Sequence, residues 1–98
     1  MALMEISIIP LGTASTSLSK HVASVVKLIK NSGLSYRLSD MGTTIEGEAV
    51  ELLELAKRLH EAPFSQDVKR VYTVIKLDDR RDKRANIGEK VKSVEKRL

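Results

Sequence analysis

The spacing of apolar residues along the chain switches between a period of two and a period near 3.6, and each switch marks a predicted element. From Leu3 to Leu11, Met4, Ile6 and Ile8 alternate with Glu5, Ser7 and Ile9 until Pro10-Leu11-Gly12 stops the run, which predicts a strand. Thr13-Ala14-Ser15-Thr16-Ser17 then offers hydroxyls for an N-cap. Leu18, Val22, Val25, Val26 and Ile29 follow at helical spacing, and Asn31-Ser32-Gly33 closes the helix with a glycine suited to a left-handed terminal position. Leu34 to Ser39 reads as a second strand, with Leu34, Tyr36 and Leu38 opposite Ser35, Arg37 and Ser39. Asp40-Met41-Gly42 is a tight connection into a third strand, Thr43 to Gly47. Glu48 to Glu61 forms a second helix with Leu52, Leu55, Ala56 and Leu59 inward, broken by Ala62-Pro63-Phe64. In the fourth strand, Lys69 to Leu77, Val71, Thr73, Ile75 and Leu77 alternate with Arg70, Tyr72, Val74 and Lys76. Ile87, Val91, Val94 and Leu98 form the narrow stripe of a last helix.

This order, βαββαβ with an additional C-terminal helix, predicts an α+β fold of the ferredoxin-like kind, with an antiparallel sheet shielded on one face by two helices. The aliphatic sets of the strands face those helices. The other face then carries Glu5, Ser7, Ile9, Arg37, Ser39, Thr44, Glu46, Tyr72, Val74 and Lys76. That mixture is too apolar for free water and too polar for a core, and it suits a wet interface or a ligand platform.

Composition narrows the picture. A length of 98 residues predicts a single domain over 1–98. The aromatic residues are only Tyr36, Phe64 and Tyr72, so the core must be aliphatic, and so small a core favours sharing one with a second copy. The absence of cysteine excludes a disulfide scaffold, a thiolate nucleophile and a cysteine zinc site. No apolar run approaches the roughly 20 residues of a membrane span, and MALMEISIIP lacks the basic start of a secretory signal, so a cytoplasmic protein is expected. The formal net charge of +4 is concentrated in the last third, but its basic residues alternate with Asp78, Asp79, Asp82, Glu89 and Glu95. A mixed surface without exposed aromatics or Gly-rich readers argues against nucleic acid as a partner.

The chemistry on offer is sparse. His21 and His60 both fall inside predicted helices without a second histidine at metal-ligand spacing, so no catalytic residue and no metal site is expected. Asp78-Asp79-Arg80-Arg81-Asp82-Lys83 reads as an ion-pair network between subunits, as a solvated loop, or as an ion-binding cluster. Neither Gly12-Thr13 nor Met41-Gly42-Thr43 is followed by a Gly-Lys-Ser pattern, so both read as turns rather than phosphate loops. Glu46 stands out, because a carboxylate has poor strand propensity. It is either a partner of Arg37 or an acceptor for a ligand amine, with Gly47 beside it allowing another group to approach.

The stretches Glu5 to Gly12, Ser17 to Val22, Ser32 to Tyr36, Met41-Gly42-Thr43-Thr44-Ile45-Glu46-Gly47 and Val68 to Val71, with the run Asp78 to Lys83, resemble the small thiamine-binding (YkoF-like) proteins over nearly the whole chain. The Met-Gly-Thr-x-Ile-Glu-Gly segment is the most specific part. The resemblance implies a ferredoxin-like domain that assembles through sheet faces and edges into dimers or tetramers. It also implies a pocket near subunit contacts for thiamine or its hydroxymethylpyrimidine part, with no other cofactor. Carried onto this chain, the implied ligand-binding residues are Met41, Gly42, Thr43, Thr44, Ile45 and Glu46, together with Ser17 and Ser19. Glu46 would accept from the pyrimidine amine, the hydroxyls of Ser17, Ser19 and Thr43 would fix ring nitrogens, and Ile9 and Ile45 would sandwich the ring. The expected function is non-catalytic binding of a small molecule at an inter-subunit site. The alternatives are a structural or regulatory homo-oligomer without a small ligand, and an enzyme working through Glu46 and the Asp/Arg cluster.

Overall fold

In the computed structural model, which describes residues 1–13, 19–84 and 86–98 (Ser19 by its backbone alone), the predicted order is realised as a ferredoxin-like fold. Strand β1 spans Ala2–Leu11, helix α1 Ser19–Asn31, β2 Tyr36–Ser39, β3 Gly42–Gly47, helix α2 Ala49–Glu61, β4 Arg70–Asp79 and helix α3 Glu89–Glu95. A short 3-10 turn, Ala62–Gln66, links α2 to β4. The strands are ordered β2-β3-β1-β4, and every neighbouring pair is antiparallel.

The alternation in β1 sets the layers. Ala2, Met4 and Ile6 are buried beneath the helices, with Ile45 of β3 and with Val25, Ile29, Leu52, Leu55, Ala56 and Leu59 of α1 and α2. Gly47 belongs to this side as well. A Cβ there would meet Leu34 and Leu52 at 3.4–3.5 Å, so the group that approaches this glycine closely is the protein's own core. Gly33 takes φ 80° at the end of α1, as its position predicts. His60 holds the second helix to β4 through Nδ1 and the Thr73 hydroxyl, 2.7 Å apart, and its ring meets Phe64 edge-on, a structural role.

Several details depart from the sequence reading, among them a second strand that begins at Tyr36 rather than Leu34. The fourth strand continues past Leu77 to Asp79 because β1 supplies pairing partners as far as its own second residue, with Ala2 opposite Asp79. The helix-side positions Ile75 and Leu77 are 43% and 38% exposed, since α1 and α2 do not shield the β4 edge at that end. The last helix is a short segment with no buried residue, and Val91, Val94 and Leu98 are all exposed. Its apolar stripe therefore has no partner within the described residues of this chain.

Candidate ligand groove at the hairpin tip

A mismatch in strand length creates the hollow. β1 pairs with β4 along all ten residues, but with β3 only from Ala2 to Ile6, because β3 begins at Gly42. Beyond Ile6 that flank of β1 has no strand partner among the described residues, and the β2–β3 turn, Asp40-Met41, stands beside it. Helix α1 roofs the gap with Val22, Val25 and Val26. The result is a groove of about 270 Å³ whose walls include Ile9, Leu38, Met41, Gly42 and Thr43.

The tip is braced from within. The Ser7 hydroxyl donates to the Met41 carbonyl at 2.8 Å, and the Ser39 hydroxyl donates to the Gly42 carbonyl at 3.0 Å. Gly42 is required by space, since a Cβ would stand 2.9 Å from Ser7 Oγ and 3.1 Å from the Ile6 carbonyl oxygen. Asp40 lines the groove, is exposed, and makes no ion pair among the described residues. Met41 beside it is 85% exposed. Sequence reasoning passed over Asp40 as a turn residue, although it directly precedes the signature segment.

The nine residues expected to bind a ligand separate into groups. Ile9, Met41, Gly42 and Thr43 meet in the groove. Ile45 is fully buried in the core on the helix side. Thr44 and Glu46 lie on the open face, Thr44 in register between Glu5 of β1 and Arg37 of β2. Ser17 and the side chain of Ser19 lie outside the described residues.

Glu46 has a partner of its own. Its Oε2 accepts the backbone N–H of Ile87 at 2.9 Å, and the contact is partly buried. Arg37 makes no ion pair with it among the described residues. Instead the Arg37 guanidinium lies over Gly88, 3.4 Å from where a Cβ would stand. Gly88 takes φ 89°, a left-handed backbone conformation that favours glycine there. Lys90 pairs with Asp78, completing a strap that ties the C-terminal segment across the open face.

The Asp78–Lys83 cluster pairs within the chain. Arg80 makes two hydrogen bonds to Asp82, at 2.7 and 2.9 Å, and Arg81 donates to Asp79 at 2.9 Å. The Arg80 guanidinium holds the Asp82 carboxyl well below its usual 3.8, at about 2. A depressed folded value means that this pair favours the folded state above the unfolded carboxylate value and ceases to do so as pH falls toward 2. An NMR titration should place the Asp82 midpoint near 2, and Arg80→Ala should return it toward 3.8. An unchanged midpoint in Arg80→Ala would refute the pairing. Among the described residues no group of three or more potential ligands could hold a metal, and no helix is long and apolar enough to cross a membrane.

Comparison with known proteins places this geometry in context. A family described as thiamine-binding protein matches residues 4–95. The UPF0045 protein of Methanothermobacter thermautotrophicus is 44% identical, covering 100% of both chains. A hypothetical protein from Methanocaldococcus jannaschii, solved by crystallography, superposes with a TM-score of 0.84 at 36% identity, covering 96% of this chain and 95% of that one. A Thermotoga maritima crystal structure, of a candidate thiamine biosynthesis/salvage protein, gives a TM-score of 0.80 at 24% identity over 95% and 97% of the two chains, a likeness of fold.

Proposed function

Because this chain belongs to the thiamine-binding protein family, we propose that it is a non-catalytic binding protein that holds thiamine, or its hydroxymethylpyrimidine half, in the hairpin-tip groove. The observation that carries this reading is an apolar slot whose lining includes a carboxylate, Asp40, that makes no ion pair among the described residues. A flat aminopyrimidine packs between aliphatic walls and donates its exocyclic amine to a carboxylate, and Asp40 also suits the cationic thiazolium ring. Met41, flexible and exposed at the tip, can fold onto a ring. Glu46 is less suited to this work, since one of its oxygens already receives Ile87.

The groove's 270 Å³ lies just under the roughly 300–1,000 Å³ of common small-molecule sites. One ring fits it, and a two-ring ligand needs a further wall. A second copy of the chain supplies that wall in our reading. Ile9, Tyr72 and Val74 on the open face, the long free edge of β4 and the bare stripe of α3 favour assembly into dimers or tetramers through faces and edges.

Calorimetric titration of the full chain with thiamine, and separately with hydroxymethylpyrimidine, should give saturable heat with both ligands. Sedimentation should show a dimer or tetramer. A folded oligomer that gives no heat at millimolar ligand favours the structural reading and refutes ligand binding, and a stable monomer refutes the shared wall.

A further inference from the structure

A larger hollow, of about 640 Å³, opens at the same end of the sheet on the other flank of β1, where β1 leaves and β4 enters. Among the described residues its walls include Gly12, His21, Gln66, Asp67, Lys69 and Arg70. It shares no described residue with the hairpin-tip groove.

Among the described lining residues two cations, Lys69 and Arg70, stand against one carboxylate, Asp67. Asp67 takes a left-handed conformation, φ 67°, which turns the chain out of the 3-10 segment and into β4. Lys69 and Arg70 follow at the mouth. Lys69 lies just before the strand and Arg70 is its first residue, opposite Leu11 in register, and both line the hollow. The Gln66 amide is anchored to α1 by its hydrogen bond to Ser24 Oγ at 3.1 Å. Gly12 has φ 74°, and among the described residues no heavy atom lies within 4 Å of where a Cβ would stand.

Lys69 and Arg70 are neighbours in this lining, and neither pairs with a carboxylate among the described residues. Two adjacent unpaired cations in a concave site repel each other, and an anion relieves that repulsion. His21 adds a donor. Its Nδ1 is buried with no partner among the described residues, and a buried unmade N–H is costly. The proton is therefore better placed on Nε2, and His21 is one of the residues that line the hollow.

We propose that this hollow is an anion site for a phosphoryl group, held by Lys69, Arg70 and His21, with the remaining volume open to the organic part of a phosphate ester. Arginine and lysine together suit this ligand, one by forked hydrogen bonding and the other as a compact charge. The site is separate from the groove assigned to thiamine and does not depend on that assignment.

The test is a titration of the full chain, followed through its backbone amides by NMR, with inorganic phosphate and with glycerol phosphate. Saturable shifts should centre on Gly12, Lys69 and Arg70. Lys69→Met/Arg70→Met should weaken binding by about tenfold or more, in line with the loss of charge-assisted contacts. Lys27→Met/Lys57→Met, with the same change in net charge on the outer faces of the helices, should leave it within about twofold. If the first double variant does not fold, Arg70→Met alone serves, because its side chain is exposed. Tighter binding of glycerol phosphate than phosphate would assign the site to esters, and the reverse to the free anion, both within the proposal. Shifts that do not saturate, that centre elsewhere, or that weaken equally in both double variants would overturn it. Thiamine heat should persist in the Lys69/Arg70 variant, and its loss from the wild type would bear on the groove alone.

Discussion

Leu52→Ala is expected to cost the protein about 3–4 kcal/mol of stability, within the range of roughly 2–5 kcal/mol for fully buried leucines. Leu52 is completely buried, inside a core made of aliphatic residues with no aromatic among its fully buried members. Its Cδ2 lies 3.5 Å from the point where a Cβ on Gly47 would stand. Truncation therefore opens a void against a residue with no side chain to move into it, and the site collapses poorly. A domain of this size has roughly 5–15 kcal/mol in total, and each kcal/mol shifts its melting temperature by about 4–8 °C. A drop of roughly 15–25 °C should appear in thermal melts at fixed protein concentration, which matters if folding and association are linked. Leu53→Ala on the same helix, half exposed, should cost under about 1 kcal/mol. Equal losses in both variants would contradict the assignment of α2's inward face.

The second large effect separates two carboxylates. Asp40→Asn is expected to weaken thiamine binding by about tenfold, the loss of one charge-assisted hydrogen bond at a partly solvated rim. Glu46→Gln is expected to leave thiamine affinity within about twofold and to act instead on the strap. There, weakening the hydrogen bond to the Ile87 N–H should speed exchange of that amide by roughly tenfold, the worth of about one ordinary hydrogen bond. Calorimetry and hydrogen exchange on the same two variants check both halves. A silent Asp40→Asn together with a Glu46→Gln variant that no longer binds would reverse the roles and move the ligand to the open face.

That reversal of emphasis shows what the sequence could and could not disclose. Periodicity was enough for the order of elements, the two faces of the sheet and the helix-side core from Met4 to Leu59, because burial of alternating or 3.6-spaced residues is a local signal. Gly33 was legible for the same reason, since a helix end states its own backbone requirement. The groove was only half legible. Met41, Gly42 and Thr43 lie in a recognisable segment, but the hollow exists because β3 stops pairing at Ile6 while β1 continues to Leu11, and register between strands is not written in either strand alone. Ile45 sits in the same segment yet points to the core, as the alternation of a strand requires once its neighbours are fixed. Glu46 drew attention as an unusual strand residue. Its partner, the Ile87 N–H, lies 41 positions away and leaves no trace in local spacing. The stripe of Ile87, Val91, Val94 and Leu98 was visible as an apolar pattern, but a pattern names no partner, and α3 finds none within the described residues of its own chain.

The most direct test of the thiamine assignment is a crystal structure of the full chain grown with thiamine. The account predicts the aminopyrimidine ring beside Met41, Gly42 and Thr43 with its amine on Asp40, while Ile87 keeps its hydrogen bond to Glu46. Ligand density against Glu46 with Ile87 displaced, or a hairpin-tip groove left without ligand in a crystal that holds thiamine elsewhere, would contradict it.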